Sequence, residues 1–195
     1  MTVFRGMRRA ASVLLLPVLA ACQTPDSRLY TLSVLPPATA APAGAARTLA
    51  LGALDLPPLV DRPQIVRRLD ANRVEALEFD RWAEPLADGL RAALAGDLGV
   101  RLPGTIVLPA AGTAPGDGTA VLSVTVLRLD AEAAGRVVLE AQWSLSAGGA
   151  VAGGAVRHRE TLEVPAASGE PVALVAAMSR AVALFADRVA AAVRR

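Results

Sequence analysis

The sequence predicts an α+β fold in which one two-layer domain has a mostly antiparallel sheet with two amphipathic helices packed on one face. Two segments, near 86–98 and 171–193, carry apolar residues at helical spacing, and a third, 120–164, contains long strand-like runs joined by short turns. Each of these elements has one apolar side to bury against another layer. We find neither an internal repeat nor a second domain in the pattern.

The first half of the domain is predicted to hold four strands and one helix. The strands are expected at 29–35, 48–56, 64–69 and 73–78, with a turn at 70–72 and a Pro/Ala/Gly loop at 36–46. The helix is expected to begin at Pro85, to bury leucines spaced by four residues, and to end at Gly99.

The second half is predicted to be a meander closed by a helix. A short strand at 105–108 and a Gly/Pro loop at 109–119 precede long strands at 120–130, 136–147 and 155–164, with a Gly-rich turn at 148–154. Short turns between successive strands favour antiparallel pairing. The closing helix, 171–193, has a single apolar stripe from Val175 to Val193.

The N-terminal residues 1–21 have the pattern of a signal peptide. Arg5, Arg8 and Arg9 precede an apolar run at 10–21, which is shorter than the roughly 20 residues that an α-helix needs to span a bilayer. Residues 19–22, LAAC, resemble a bacterial lipobox, in which Cys22 accepts the lipid. The alternative is an ordinary secretory signal that leaves Cys22 as a free thiol.

A lipid at Cys22 divides the chain into a signal peptide (1–21), a lipidated tether (22–27) and a domain (28–195). The tether reaches roughly 20 Å, so the domain is expected close to the membrane surface. Gln23 follows the cysteine. Because lipoproteins kept in the inner membrane mainly have Asp at that position, this resemblance predicts the periplasmic face of the outer membrane.

Composition argues against several classes of function. Removal of residues 1–21 leaves 17 basic residues against 18 acidic ones, so no basic surface for nucleic acid is expected. With one histidine, His158, no lysine and an acylated cysteine, the common catalytic triads, Schiff bases and zinc sites lack parts. We therefore predict neither an enzyme nor a metal site nor a cofactor, although a pair of carboxylates could still act as a hydrolase.

Two segments have a specific resemblance to a known family. Residues 57–67, PPLVDRPQIVR, and 79–86, FDRWAEPL, resemble signature stretches of the PqiC-like ABC-type transport auxiliary lipoproteins, and 29–32, LYTL, is similar to their usual start. The resemblance covers roughly 29–193 and departs from the family in the loop at 36–46 and the turn at 148–154. Both departures lie where loops tolerate change.

This resemblance implies a non-catalytic outer-membrane lipoprotein of an ABC/MCE-type system that moves phospholipid between membranes. The implied partner is the MCE-domain periplasmic protein, which the lipoprotein would dock to the outer membrane. Some family members form homo-oligomeric rings, and the sequence leaves that state open. The alternatives are a structural lipoprotein that anchors a secretion or envelope complex without handling lipid, and a monomeric carrier with its own apolar cavity.

Charged and aromatic residues of the two signature segments are candidates for docking the partner: Asp61, Arg62, Arg67, Asp80, Arg81 and Trp82. Arginine pairs with carboxylates in a bidentate geometry, which suits a docking surface. A structural interpretation is favoured for some of them. Trp82, beside the start of a helix, is expected to anchor the core, and Asp61 and Arg62 are expected to hold backbone groups in a rigid turn between Pro58 and Pro63.

Overall fold

The structure, a computed structural model, describes residues 25–39, 42, 44, 47–109, 119–147 and 157–194. These residues form eight strands and two helices. In chain order the elements are β1 (Arg28–Tyr30), β2 (Arg47–Asp55), β3 (Gln64–Arg68), β4 (Val74–Trp82), α1 (Leu86–Arg101), β5 (Thr105–Leu108), β6 (Thr119–Glu132), β7 (Arg136–Ala147), β8 (Arg157–Pro165) and α2 (Pro171–Val193).

The strands form one sheet around the long strand β6. Along one edge of β6 lies β7, which is antiparallel to it and to the next strand, β8. The other edge of β6 is shared, because β2 pairs with its first half and β3 with its last two residues, both in parallel. Outside β2 lies β5, and outside β3 lie β4 and then β1.

The predicted α+β class is confirmed, but the sheet is mixed rather than mostly antiparallel. Strands joined by short turns, β3–β4 and β6–β7, are antiparallel, as is β7–β8. The parallel pairs, β1–β4, β2–β5, β2–β6 and β3–β6, join strands that are far apart in the chain. A long connection lets the chain return to the other end of the sheet, so that the second strand of the pair runs in the same direction as the first.

Both helices cover the same side of the sheet and contact each other. Helix α1 packs against β2 and β5, and α2 packs against β6, β7 and β8. The expected stripes face inward, since Leu86, Leu90, Leu94 and Leu98 of α1 are at most 3% exposed and α2 buries the stripe around Phe185. Pairing of two apolar stripes with one apolar sheet face accounts for the single core.

Helix α1 does not end at Gly99, as the sequence suggested, but continues to Arg101. A side chain at Gly99 would meet open space, so this glycine lies on the solvent side of an unbroken helix. The chain reverses instead at Gly104, which has φ +88°. Glycine adopts this left-handed conformation without steric cost, and a Cβ there would lie 2.9 Å from the Gly44 carbonyl oxygen.

The predicted first strand, 29–35, is mostly not a strand. Only Arg28–Tyr30 pairs with β4, and residues 31–35, which we call the strap, cross over the two helices. The Ser33 amide donates to Ser179 Oγ of α2 at 3.1 Å, and the Leu35 amide donates to Asp97 Oδ1 of α1 at 2.9 Å. The strap is therefore bound to both helices.

Candidate docking site

Residues 57–63, which we call the docking loop, connect β2 to β3 and are held by backbone hydrogen bonds. The Pro57 carbonyl accepts from the amides of Val60, at 3.0 Å, and Asp61, at 3.2 Å, and the Arg62 amide donates to the Val60 carbonyl at 2.9 Å. Proline fixes φ at Pro57, Pro58 and Pro63, which limits the conformations of the loop further. Val60 is 3% exposed and attaches the loop to the core.

The charged side chains of the docking loop point to solvent. Asp61 and Arg62 are exposed, and neither side chain forms a hydrogen bond or salt bridge with the rest of the described chain. The expectation that these side chains hold backbone groups is therefore wrong, because the backbone amides and Val60 hold the turn. Leu59, 39% exposed, lies beside them in the loop.

Arg81 lies close to the docking loop. The Trp82 amide donates to the Pro63 carbonyl at 2.8 Å, and Arg81 is the register partner of Gln64, the residue that follows the loop. The Arg81 guanidinium is 37% exposed and forms a salt bridge with Glu78 of the same strand at 2.8 Å. The strand that carries Arg81 and the docking loop are therefore neighbours in the fold.

The other sequence candidates have partners inside the fold. Arg67 of β3 and Glu75 of β4 are directly opposite each other, and their side chains form a salt bridge at 2.6 Å. Trp82 is 8% exposed and packs in the core, as its position beside α1 predicted. These two residues stabilise the sheet and its packing.

Asp80 clamps the N-terminal strand to β4. Its side chain, 7% exposed, accepts from Arg28 Nη2 at 2.7 Å and from the Tyr30 hydroxyl at 2.8 Å. Burial and the hydrogen bond to Asp80 raise the pKa of Tyr30, and the hydrogen bond to Asp80 raises that of Arg28. The clamp lies where the predicted tether joins the domain.

A second polar cluster, which we call the strap latch, fixes the strap to α1. Arg101 Nη1 donates to Asp97 Oδ1 at 3.0 Å and to the Leu35 carbonyl at 2.8 Å, and Arg101 Nε donates to Asp187 of α2 at 2.7 Å. Asp97 also accepts from the Leu35 amide, so both backbone groups of Leu35 are bound. Ion pairs as buried as this one are costly unless nearly every polar atom is satisfied.

Burial raises the pKa of Asp97, and the Leu35 amide and the Arg101 charge oppose that rise. Its Oδ2 atom is buried and has no partner among the described residues. Sequence reasoning missed this cluster, although a signal existed. Asp97 and Arg101 are spaced i, i+4 along the apolar side of α1, beside Leu94 and Leu98, where exposed charges are not expected.

Asp130 is another buried acid that the sequence did not single out. It is 1% exposed and accepts from Arg68 of β3 and from Arg128 of its own strand, at 3.0 and 2.8 Å. The cluster joins β3 to the end of β6, where only two residue pairs connect these strands. In the sequence of a strand with alternating polar and apolar residues, a buried acid such as Asp130 looks the same as an acid exposed to solvent.

The remaining site predictions concern a metal, a membrane span and the lipid anchor. Within the described ranges, no three His, Cys, Asp or Glu side chains are placed to hold a metal ion. No helix in the same ranges combines the length and apolar character that a membrane span needs. Cys22 and the signal peptide, 1–21, lie outside the described residues.

Comparison with known proteins identifies the family. The model of the ABC-type transport auxiliary lipoprotein component matches residues 30–190, which include the docking loop, Asp80 and the strap latch. The chain belongs to this family. No curated protein has a sequence that matches it.

Solved structures share the fold of this auxiliary lipoprotein. One uncharacterised protein superposes with a TM-score of 0.72 at 21% identity, over 87% of this chain and 99% of that one. The protein XCC0632 from Xanthomonas campestris, of the family DUF330, superposes with a TM-score of 0.65 at 17% identity, over 83% and 92% of the two chains. At these identities the comparison establishes the fold, and function has to be argued from the surface.

Proposed function

We propose that this protein is a lipid-anchored outer-membrane component of an ABC-type, MCE-linked lipid transporter, and that it docks the MCE-domain periplasmic protein to the membrane without catalysing a reaction. Family membership gives the role of an auxiliary component in ABC-type transport. The lipobox before Cys22 and the Gln23 that follows it support lipidation and outer-membrane sorting. Phospholipid is the proposed cargo of the complete system.

The docking loop is the observation that carries the docking role. Asp61 and Arg62 are exposed and lack side-chain partners within the described part of the chain, although most other charged groups of the signature segments have one. The loop is rigid, so a partner that binds it loses little conformational entropy in ordering it. Unpaired opposite charges on a rigid loop suit a partner that presents the complementary pair.

The interior of the domain supports docking over carrying lipid. The apolar space between α1, α2 and the sheet, lined by Leu54, Leu94, Val126 and Phe185 among others, measures about 10 Å³. That volume is near the smallest that holds one water molecule, so an acyl chain does not fit without rearrangement. Lipid would therefore pass through the partner assembly, with this protein fixing its position.

A binding measurement tests the docking role. The mature chain with Cys22→Ser, which cannot be acylated, is immobilised and mixed with the MCE-domain protein of the same genome. Arg62→Glu reverses a charge in the docking loop. Arg157→Glu reverses the charge of an exposed arginine on β8, which lies beyond β7, across β6 from β2 and β3. We expect Arg62→Glu to weaken capture at least about tenfold, which corresponds to about 1.4 kcal/mol, and Arg157→Glu to leave it unchanged.

Equal capture by both variants would contradict docking through this loop. Capture of a secretin or another envelope scaffold, with no affinity for the MCE-domain protein, would instead favour the structural lipoprotein.

The anchor is tested separately by the fractionation of wild type and Cys22→Ser between the outer membrane and the soluble periplasm. Recovery of both in the soluble fraction would contradict the anchor.

A further inference from the structure

An open cleft lies between two turns, the β3–β4 turn (69–73) and the β6–β7 turn (133–135), where β3 and β6 end. It has a volume of about 490 Å³, which is within the range of sites for small molecules, whereas the apolar space in the core measures only about 10 Å³. Its polar lining residues are Arg68, Asp70, Arg128 and Glu132. Neither the docking role nor the lipid anchor uses this cleft.

The buried Asp130 holds the guanidinium groups of two arginines that line the cleft. Its Oδ2 accepts from Arg68 Nε at 3.1 Å and Nη2 at 3.0 Å, and its Oδ1 accepts from Arg128 Nε at 2.8 Å. Nη1 of each arginine has no partner within the described ranges, and the two side chains are 24% and 27% exposed. Donors in fixed positions are therefore available to a ligand in the cleft.

The cluster around Asp130 is on the sheet face that the helices leave open. Alternate residues of a strand point to the same face, so Arg128, Asp130 and Glu132 share one face of β6. Leu129 and Ala131, between them, belong to the core, which is the side on which the helices pack. A ligand therefore reaches the cleft without displacing a helix.

The balance of charge around the cleft determines the kind of ligand that it suits. The two arginines are matched by Asp130 and Glu132, and Asp70 pairs with the exposed Arg73. A simple anion bound to the arginines would also meet the carboxylates of Asp70 and Glu132, and like charges brought together in this way repel. A zwitterion that presents its anionic group to the arginines and its cationic group to the carboxylates gains from both.

The side chains of the cleft narrow the class of zwitterion further. Arginine binds phosphate oxygens in a planar bidentate geometry. Carboxylates accept hydrogen bonds from a primary ammonium, which has three donors, whereas quaternary ammonium groups are recognised by aromatic faces. None of the described residues that line the cleft is aromatic. The cleft therefore suits a phosphate with a primary amine close by, as in phosphoethanolamine.

We propose that this cleft binds a phosphoethanolamine group, with the phosphate on Arg68 and Arg128 and the ammonium on Asp70 and Glu132. Both a phospholipid of the bilayer and a soluble glycerophosphodiester carry this group. A phospholipid would keep its acyl chains in the membrane, since the core has no space for them. The inference goes beyond the docking role and does not depend on the docking loop.

The proposed lipid anchor would bring a bilayer within reach of the cleft. Arg28 is the register partner of Asp80, and Val74 begins β4 six positions before Asp80, beside the β3–β4 turn. Cys22 also precedes Arg28 by six positions, and an extended chain of that length spans roughly 20 Å. Because β1 and β4 are parallel, a tether that follows β4 would end beside this turn. The bilayer as source thus rests on the proposed anchor, whereas the binding chemistry does not.

Side-chain NMR of the mature chain with Cys22→Ser tests the binding chemistry. The Nε signals of Arg68 and Arg128 are assigned by Arg68→Lys and Arg128→Lys, each of which removes one signal and keeps the charge. We expect both signals to shift saturably with glycerophosphoethanolamine, and the dissociation constants for inorganic phosphate and glycerophosphocholine to be at least about tenfold larger. Equal affinity for inorganic phosphate would overturn the proposal, and so would signals that do not move, which a purely structural cluster predicts.

A variant that fills the cleft tests its location without changing an ion pair. Ala71→Trp places a large side chain in the exposed β3–β4 turn, and Ala176→Trp, at an exposed position of α2, is the matched control. We expect Ala71→Trp to weaken binding of glycerophosphoethanolamine at least about tenfold. The control and Arg62→Glu should bind like the parent, and all three should keep its melting temperature. Equal binding by Ala71→Trp and the parent would overturn the proposal.

Vesicles distinguish the two sources of the phosphoethanolamine group. The same chain is floated with phosphatidylcholine vesicles that contain or lack phosphatidylethanolamine. Flotation that requires phosphatidylethanolamine and is lost in Ala71→Trp would support the bilayer lipid as the source. Binding of glycerophosphoethanolamine without flotation would support a soluble phosphodiester. Capture of the MCE-domain protein by the docking loop is measured separately, so failure of this site would leave the docking role intact.

Discussion

The strap latch and the docking loop are two polar regions that use their charges in opposite ways. In the strap latch, Asp97 and Arg101 are at most 3% exposed, and they bind each other and the backbone of Leu35. In the docking loop, Asp61 and Arg62 are exposed, and backbone hydrogen bonds and Val60 determine the shape of the loop. The charges of the strap latch hold the strap, whereas those of the docking loop remain available to another molecule.

This difference shows why residue type alone is a poor guide to function here. Both regions contain an Asp and an Arg close together in the sequence. Only the partners of the side chains distinguish a structural ion pair from a docking surface. The comparison can be tested by variants that change one region at a time.

The largest effect is expected from Asp97→Ala in the strap latch. Because Arg101 would keep only Asp187 as an ion-pair partner and the Leu35 amide would lose its acceptor, we expect the free energy of unfolding to fall by about 3 kcal/mol, measured by urea denaturation. Asp88→Ala, which removes an exposed acid from the first turn of the same helix, is the control and should cost at most about 1 kcal/mol. Similar losses for the two variants would show that the strap latch does not stabilise the fold.

A smaller loss is expected from Val60→Ala in the docking loop. Val60 is buried, and removal of its methyl groups should lower the free energy of unfolding by about 1.5–3 kcal/mol. Leu59→Ala, at a neighbouring exposed position, should have little effect on stability. If Val60→Ala were neutral, the loop would not depend on this side chain for its position.

The pH dependence of stability should carry a contribution from Asp97. Burial raises its pKa in the folded protein above the usual 3.8, so the folded state binds this proton more tightly than the unfolded state. The resulting stabilisation is complete below pH 3.8 and is lost as the pH rises through the folded-state pKa. We therefore expect the unfolding free energy of wild type, relative to Asp97→Asn, to increase on acidification toward pH 3.8.

The lowered pKa values of Asp70 and Glu132 act in the opposite direction, because their stabilisation is lost on acidification. They are present in both proteins, so their contributions cancel in this comparison. A relative stability that falls on acidification would mean that the pKa of Asp97 is not raised in the folded state.

The smallest effect on stability is expected from Asp61→Ala and Arg62→Ala. Both side chains are exposed and without partners in the described structure, so each variant should change the free energy of unfolding by no more than about 0.5 kcal/mol. The melting temperatures of both variants should match that of wild type. A loss above about 1 kcal/mol in either variant would show that its side chain supports the turn, contrary to the structure.

Periodicity in the sequence predicted the elements whose burial follows a local repeat. Helix α2, strand β5 and strand β7 have the predicted bounds, and the class of the fold is as expected. The sequence predicts strand over 29–35, and polar and apolar residues alternate over 31–34. The same alternation arises in the strap, which buries Leu32 while neighbouring residues contact the helices, so only the tertiary arrangement separates the two cases.

The two signature segments that hold the docking candidates are neighbours in the fold, and their role in docking stays a prediction. Trp82 and Pro63, one from each segment, are joined by a backbone hydrogen bond. Which of their charges have internal partners depends on cross-strand register, which brings Arg67 opposite Glu75 and Arg28 beside Asp80. The Arg67–Glu75 pair follows from the short β3–β4 hairpin, whereas the register of β1 with β4, which are about 50 residues apart, leaves no mark in the local sequence.

If the proposed lipid at Cys22 anchors the chain, the parallel pairing of β1 with β4 has a mechanical consequence. A pull directed along the axis of β1 would load the hydrogen bonds to β4 and the Asp80 clamp simultaneously, in shear. Bonds loaded in this way must break together, whereas a strand pulled from its end at right angles would lose them one at a time. Behind them the strap latch binds both backbone groups of Leu35, which gives the N-terminal part of the domain a second point of attachment.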